Sequence, residues 1–298
     1  MAGMITSIKR LNSKKLWWIK SILLIIGLSL FGLLVSTTSQ AMGNTDQATP
    51  TTTPTPRCQS THGKVTPTRF DSTVLKKPFI FRVYTPPCFD PNGTVTYPVL
   101  YILHGQSSND DQWDRLGMDE AADKLISAGT ITPLIIVMPQ ESNYLEDPQI
   151  SKYGFAFVDE LLPWVDANYP TIPGRQTRAI GGLSRGAGWA MRLGLINPDL
   201  FGSIGGHSLA QFKGDYFNVP RWRSRTSDEN LPRIYLDIGL LDFVKDTARV
   251  FETRLSEYSY PHEWHLNTGS HTEVYWSEHV DEYLIWYNQA WDTSSIVP

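Results

Sequence analysis

Cysteine is scarce in this chain: Cys58 and Cys88 are the only two among 298 residues. Neither directly follows the N-terminal apolar run, which excludes anchoring through a lipid-modified cysteine. Metal-ligand spacing is equally sparse. His262 and His265 in "HEWH" come nearest to a pair, but no further ligand spacing supports them, so neither a metal nor a cofactor is implied. Acidic residues are missing from residues 1–41, which hold Lys9, Arg10, Lys14, Lys15 and Lys20. With those five set aside, the 26 Lys and Arg become 21 against an unchanged 30 Asp and Glu, a balance of −9. Such a domain repels nucleic acid and anionic lipid, and neither is an expected partner. Sequence repeats are absent, and no insertion is long enough for a second folded cap domain.

The basic N-terminus leads into Ser21–Val35, "SILLIIGLSLFGLLV", 15 residues without a charge. "STTSQAMG" follows, with Ser39 and Ala41 as the small residues of a cleavage site. A spanning helix wants roughly 20 apolar residues, and Lys20 cuts this run short. Residues 1–41 therefore read as a signal peptide, with an uncleaved membrane anchor as the alternative. Either places the remainder outside the cytoplasm, secreted or tethered by that segment alone. Residues 42–57, rich in Thr and Pro, read as an extended linker. The folded domain is expected over 58–298.

Cys58 and Cys88 flank two strand-like stretches, "GKVTPTRFDST" and "PFIFRVYTPP", with a turn near Lys76–Lys77. A hairpin there brings both cysteines to one open end, and an oxidising compartment favours a disulfide; two unpaired thiols are the alternative. From Tyr97 onward, short apolar strands alternate with helical segments. Strands are expected at Tyr97–Leu103, Leu134–Pro139, Arg178–Leu183, Phe201–Ser208, Arg233–Gly239 and His262–Asn267. Helices are expected at Asp119–Gly129, Phe155–Tyr169, Gly186–Ile196, Val244–Ser259 and Thr272–Trp291. Alternation of this kind implies βαβ units and a mostly parallel sheet, with the opening hairpin antiparallel. Trp276, Val280, Tyr283 and Tyr287 fall at helical spacing, as a face packed on the sheet does. Leu209–Pro232 reads as a long loop overhanging a site.

"AIGGLSRGAGWAMRLG", Ala179–Gly194, sets Ser184 between Gly182 and Gly186, after an apolar strand and before a helix. Glycines let strand and helix approach closely, the serine projects above the sheet edge, and the helix N-terminus stabilises developing negative charge. In chain order an acid and then a histidine should follow. His271, in the Gly-Ser loop "NTGSHTEV", is the candidate base; a helix-capping loop histidine is the alternative. His62, His104 and His207 come too early, His262 and His265 lie on a strand, and His279 lies within a helix. In "RIYLDIGLLD", Asp237 falls mid-strand and reads as structural. Asp242 falls at the strand end and is the candidate acid, although it is equally placed to cap the next helix. The oxyanion donors would be the backbone N–H of Arg185 and, in "LHGQSSNDDQW", that of Gln106 after Gly105. "NDDQWD" itself reads as a solvated acidic loop rather than a calcium site.

"YPVLYILHGQSSNDDQW", "IGGLSRGAG", "LDIGLLD" and "GSHTEVYWSEHVDEYLIWY" together resemble the esterase group of the α/β-hydrolases, over about Lys64 to Trp291. That group includes feruloyl and acetyl-xylan esterases, enterochelin-type esterases, S-formylglutathione hydrolases and mycolyltransferases. The resemblance implies an α/β-hydrolase fold, with Ser184 as nucleophile, Asp242 as acid, His271 as base and Gly105–Gln106 in the oxyanion hole. Two positions depart from the group's pattern. Ala187 stands where many members carry a second glycine. Arg185 follows the serine, where it either meets an acidic or sugar-bearing substrate or pairs with an acidic neighbour. The expected reaction is hydrolysis of an ester, which a carbohydrate could carry, through an acyl-serine. Acyl transfer to a sugar or lipid acceptor is the alternative. A different class of reading is a non-catalytic module binding carbohydrate through exposed aromatics, with Trp113 and Trp222 as substrate-contacting candidates on loops.

Overall fold

The computed structural model describes residues 58–291. The expected signal or anchor (1–41) and linker (42–57) lie outside the described residues. Among those described, no helix is long and apolar enough to cross a membrane.

Eight strands form one sheet: β1 (Lys64–Ser72), β2 (Lys77–Thr85), β3 (Val99–Leu103), β4 (Ile135–Pro139), β5 (Arg178–Leu183), β6 (Ser203–His207), β7 (Arg233–Gly239) and β8 (His262–Asn267). Their spatial order is β1-β2-β4-β3-β5-β6-β7-β8. β1 pairs antiparallel with β2 and β2 with β4, while every pairing from β4 to β8 is parallel. At the open end of the β1–β2 hairpin, Cys58 and Cys88 form a disulfide, with Cα atoms 5.6 Å apart.

The central strands β3 and β4 are apolar and buried at every position because both faces are covered. On β3, Val99, Tyr101 and Leu103 enter one core and Leu100 and Ile102 the other. The first core packs beneath α3 (Tyr153–Ala156), α4 (Leu162–Asn168), α5 (Arg185–Ile196) and α7 (Lys245–Glu257). A π-helical turn, Phe157–Leu161, joins α3 to α4, so the helix expected over Phe155–Tyr169 is one continuous rod with a widened middle. The second core packs beneath α1 (Gln112–Arg115), α2 (Met118–Ser127) and α8 (Glu273–Asn288), where Trp276, Val280, Tyr283 and Tyr287 are all buried.

The stretch expected to be a loop, Leu209–Pro232, instead contains a helix, α6 (Asp215–Arg223), with Pro220 inside it. Proline cannot donate the hydrogen bond that Tyr216 C=O would otherwise receive four residues back. Arg254 Nε donates to that carbonyl at 3.3 Å instead, so the helix passes through the proline with the acceptor satisfied. In the acidic loop after β3, Arg82 binds Asp114 at 2.6 Å and Asp110 at 3.3 Å.

Asp119, in the first turn of α2, has a buried carboxylate oxygen without a hydrogen-bond partner. Burial, aided by neighbouring Glu120, raises its carboxyl to about 7. The folded state therefore holds a proton that the unfolded chain releases near pH 4, and this group costs stability as pH rises from about 4 to 7. Asp119→Asn should flatten that dependence. We expect the variant to gain about 1 kcal/mol on the wild type between pH 5 and 8 in urea denaturation, a figure discounted because the carboxylate is only half-buried. Parallel curves for the two proteins would refute it.

Candidate active site

β5 ends at Leu183 and α5 begins at Arg185, leaving Ser184 alone in the turn. Its φ of 53° and ψ of −116° are conformations that side-chain-bearing residues rarely adopt. Three backbone bonds hold it there. Ser184 N–H donates to His207 O at 2.8 Å, and Ser184 O accepts from the N–H groups of Gly188 at 3.1 Å and Ala210 at 3.2 Å. A Cβ on Gly186 would stand 2.3 Å from Leu103 O, so α5 can lie this close to the end of β3 only with glycine at 186.

His271 lies in the loop between β8 and α8, and Asp242 in the loop between β7 and α7. The two loops are joined by backbone bonds, Leu240 N–H to Asn267 O at 2.7 Å and Leu241 N–H to Gly269 O at 2.9 Å. His271 Nε2 is 2.9 Å from Ser184 Oγ, and its Nδ1 lies 3.0 and 2.9 Å from the two oxygens of Asp242. The rings of Phe243 and Trp276 flank the imidazole, with centroids 4.4 and 5.0 Å away. The Asp242 side chain is fully buried. Burial alone would raise its pKa, but hydrogen bonds from His271 and from Val244 N–H outweigh that and hold it below the usual carboxylate range. Asp242 therefore contacts the histidine and accepts Val244 N–H in the turn before α7, while Val244, not Asp242, occupies the N-cap position expected for it as the alternative.

Gly105, at the end of β3, faces the serine: a Cβ there would be 2.7 Å from Leu183 Cδ1 and 3.7 Å from Ser184 Cβ. Gln106 follows it and is exposed. Arg185 is the first residue of α5, where the helix supplies no carbonyl for its N–H. Its guanidinium pairs with Glu141, a partner that nothing in the sequence spacing indicated. Position alone hinted at Glu141, since it falls just beyond the end of β4.

Two expected contacts are corrected. Trp113 is on α1, not in a loop, and is 1% exposed, with its Nε1–H bound to Leu103 O at 2.9 Å. It is a wall of the core and offers no face to a ligand. Trp222 is on α6, buried, and borders a cavity of about 470 Å³ with Arg192 and Arg221, which none of Ser184, Asp242 and His271 lines. Arg192 lies eight residues beyond Ser184, about 12 Å along the helix. His207 and Asp237 form a second buried pair, Nδ1 to Oδ1 at 2.6 Å, but Asp237 is also bound by the hydroxyls of Tyr275 and Tyr283. That pair belongs to the core beneath α8.

A sheet of this order, with a strained serine at a strand–helix turn and a histidine and a carboxylate on later strand ends, defines the α/β-hydrolase class. The chain belongs to the Esterase family, whose model, described as "Putative esterase", matches residues 72–287. An esterase of Mycobacterium tuberculosis is 32% identical over 154 residues, 48% of this chain and 31% of that protein. An endo-1,4-beta-xylanase/feruloyl esterase of Xylanibacter ruminicola is 34% identical over 116 residues, 37% of this chain and 16% of that one. The matched stretch thus spans less than a third of either relative. A solved ferulic acid esterase superposes with a TM-score of 0.68 at 24% identity, covering 77% of this chain and 99% of its own, a likeness of fold.

Proposed function

We propose that this chain is an exported serine carboxylic-ester hydrolase working through an acyl-serine intermediate. The observation carrying this reading is the unbroken line from Ser184 Oγ through both nitrogens of His271 to a buried carboxylate at Asp242. His271 Nε2 takes the hydroxyl proton as Ser184 Oγ attacks the ester carbonyl carbon. Negative charge gathers on the carbonyl oxygen, facing the N–H of Arg185 at the head of α5 and that of Gln106 in the loop after β3. Asp242 orients the ring and stabilises the imidazolium. The tetrahedral species collapses, the alcohol leaves with the proton from Nε2, and water repeats the sequence to release the acid and regenerate the serine.

A groove of about 460 Å³ is lined by Ala210, Phe212, Tyr216, Phe217 and Val244 together with Gln211, Lys213, Gly214 and Thr247; like the cavity at Trp222, it is not lined by Ser184, Asp242 or His271. Ala210 N–H binds Ser184 O, so one end of this groove's largely apolar lining meets the nucleophile turn. It suits an aromatic acyl group, such as the hydroxycinnamoyl esters carried by polysaccharides. Export is supported by the basic-then-apolar pattern of residues 1–41 and by the Cys58–Cys88 disulfide.

The test is a fluorophosphonate probe applied to the purified protein. One phosphonyl group should attach per chain, on the peptide carrying Ser184, and aryl-ester hydrolysis should disappear in step with labelling. Labelling elsewhere, or full activity in labelled protein, would sink the reading.

A further inference from the structure

Glu141 stands outside the line of Ser184, His271 and Asp242, yet it ties together the two loops beside the nucleophile. Its carboxylate receives two parallel hydrogen bonds from Arg185, Nε to Oε2 and Nη2 to Oε1, each 2.7 Å. Both partners are nearly buried, at 5% and 11% side-chain exposure. Arg185 Nη2 also donates to Glu146 O at 3.2 Å, and the guanidinium lies over the Phe212 ring. The backbone of Glu141 reaches the other way, its N–H donating to His104 Nε2 at 2.8 Å. A ring nitrogen that accepts carries no hydrogen, so the imidazole proton is on Nδ1. From there it donates to Gly105 O at 2.7 Å. Burial keeps that ring neutral by lowering its pKa.

Gly105 C=O and Gln106 N–H belong to one peptide unit. No cis peptide occurs among the described residues, so the N–H points opposite to the carbonyl. His104 at 2.7 Å and Ser108 N–H at 3.3 Å hold that carbonyl, and holding it aims the Gln106 N–H. The carboxylate of the same Glu141 holds Arg185, whose N–H is the other proposed donor. The geometry points to Glu141 as a positioning residue for both oxyanion donors, its carboxylate acting through Arg185 and its main-chain N–H through His104; substitution of the side chain tests the first of these. This inference rests on the esterase reading above.

Glu141→Gln alone strands a buried guanidinium without its counter-charge, so it is paired with the double variant Glu141→Gln/Arg185→Gln, which is charge-neutral at both positions. Wild type and variants are assayed with 4-nitrophenyl acetate and titrated with phenylboronic acid, which forms a tetrahedral anion on a reactive serine. In both variants kcat should fall about ten- to hundredfold with KM within about twofold, and the boronate Ki should rise by a similar factor. The melting temperature of the double variant should stay within about 5 °C of wild type. If the double variant does not fold, Glu141→Asp, which keeps the charge and shortens the strut, is read for the same two quantities. Unchanged kcat and Ki in a folded variant overturn the inference, and so does a kcat loss with an unchanged Ki. A wild type that neither hydrolyses the ester nor binds the boronate overturns the esterase reading itself, and this inference with it.

Discussion

Ser184→Ala should lower kcat for an aryl ester by about 10⁶-fold while leaving KM within a small factor. Alanine keeps the Cβ, so the turn at φ 53° meets no new clash and its three backbone bonds remain available. The atom lost is the one that attacks. His271→Ala should cost about as much, because without Nε2 the hydroxyl has no acceptor for its proton. The double variant should be no worse than either single one, since the two groups act as a unit. The residual rate above buffer would then come from the backbone donors and from binding. Steady-state kinetics on the three variants, with circular dichroism to establish folding, reads all of this. A loss below about tenfold in Ser184→Ala would remove the serine from the chemistry.

The strands were legible in the sequence because sheet burial leaves a local signature. β5, β7 and β8 begin and end at the residues expected for them, since turn residues bound each one. The α8 face was legible for the same reason, its four aromatic and β-branched positions recurring at helical spacing beneath one core. α6 was not. Its helical pattern is interrupted at Pro220, and what allows the proline is Arg254, a side chain far along the chain. The burial of Trp113 and Trp222 is not legible, because tryptophan in a loop-like, polar stretch carries no local sign of what covers it. Both sit on short helices whose packing is set by other segments.

At the site, Ser184, Asp242 and His271 could be named from the order of loops, because neighbouring parallel strands carry their C-terminal loops to one edge. Hydrogen-bond distances among them are a consequence of β5, β6, β7 and β8 lying side by side. The Arg185–Glu141 pair had no such order to follow. It joins the first residue of α5 to one just past β4, a strand separated from β5 in the sheet by β3, and only the folded arrangement brings the charges together.

Asp242→Asn separates two roles that the geometry superimposes on one side chain. As a carboxylate, Asp242 accepts Val244 N–H at 2.9 Å through Oδ1, a purely structural bond, and also faces His271 Nδ1. Asparagine keeps an oxygen for Val244, so the loop into α7 can remain formed. Its amide nitrogen is then the group turned toward the imidazole, and it is a donor. The ring must answer with an unprotonated Nδ1, which moves the proton to Nε2, where it points at Ser184 Oγ and cannot accept from it. We expect kcat to fall about 10⁴-fold with KM little changed, as the wrong tautomer does in comparable triads. Stability carries an independent signature. Because the folded carboxyl of Asp242 is held below its unfolded value, its contribution is complete above about pH 4 and is lost as pH falls through the folded pKa. The Asn variant should lack that acid-side loss, so wild type and variant should converge in denaturation midpoint toward low pH. If kcat is instead preserved, Asp242 serves only to hold the entry to α7, and the imidazole takes its orientation from Phe243 and Trp276.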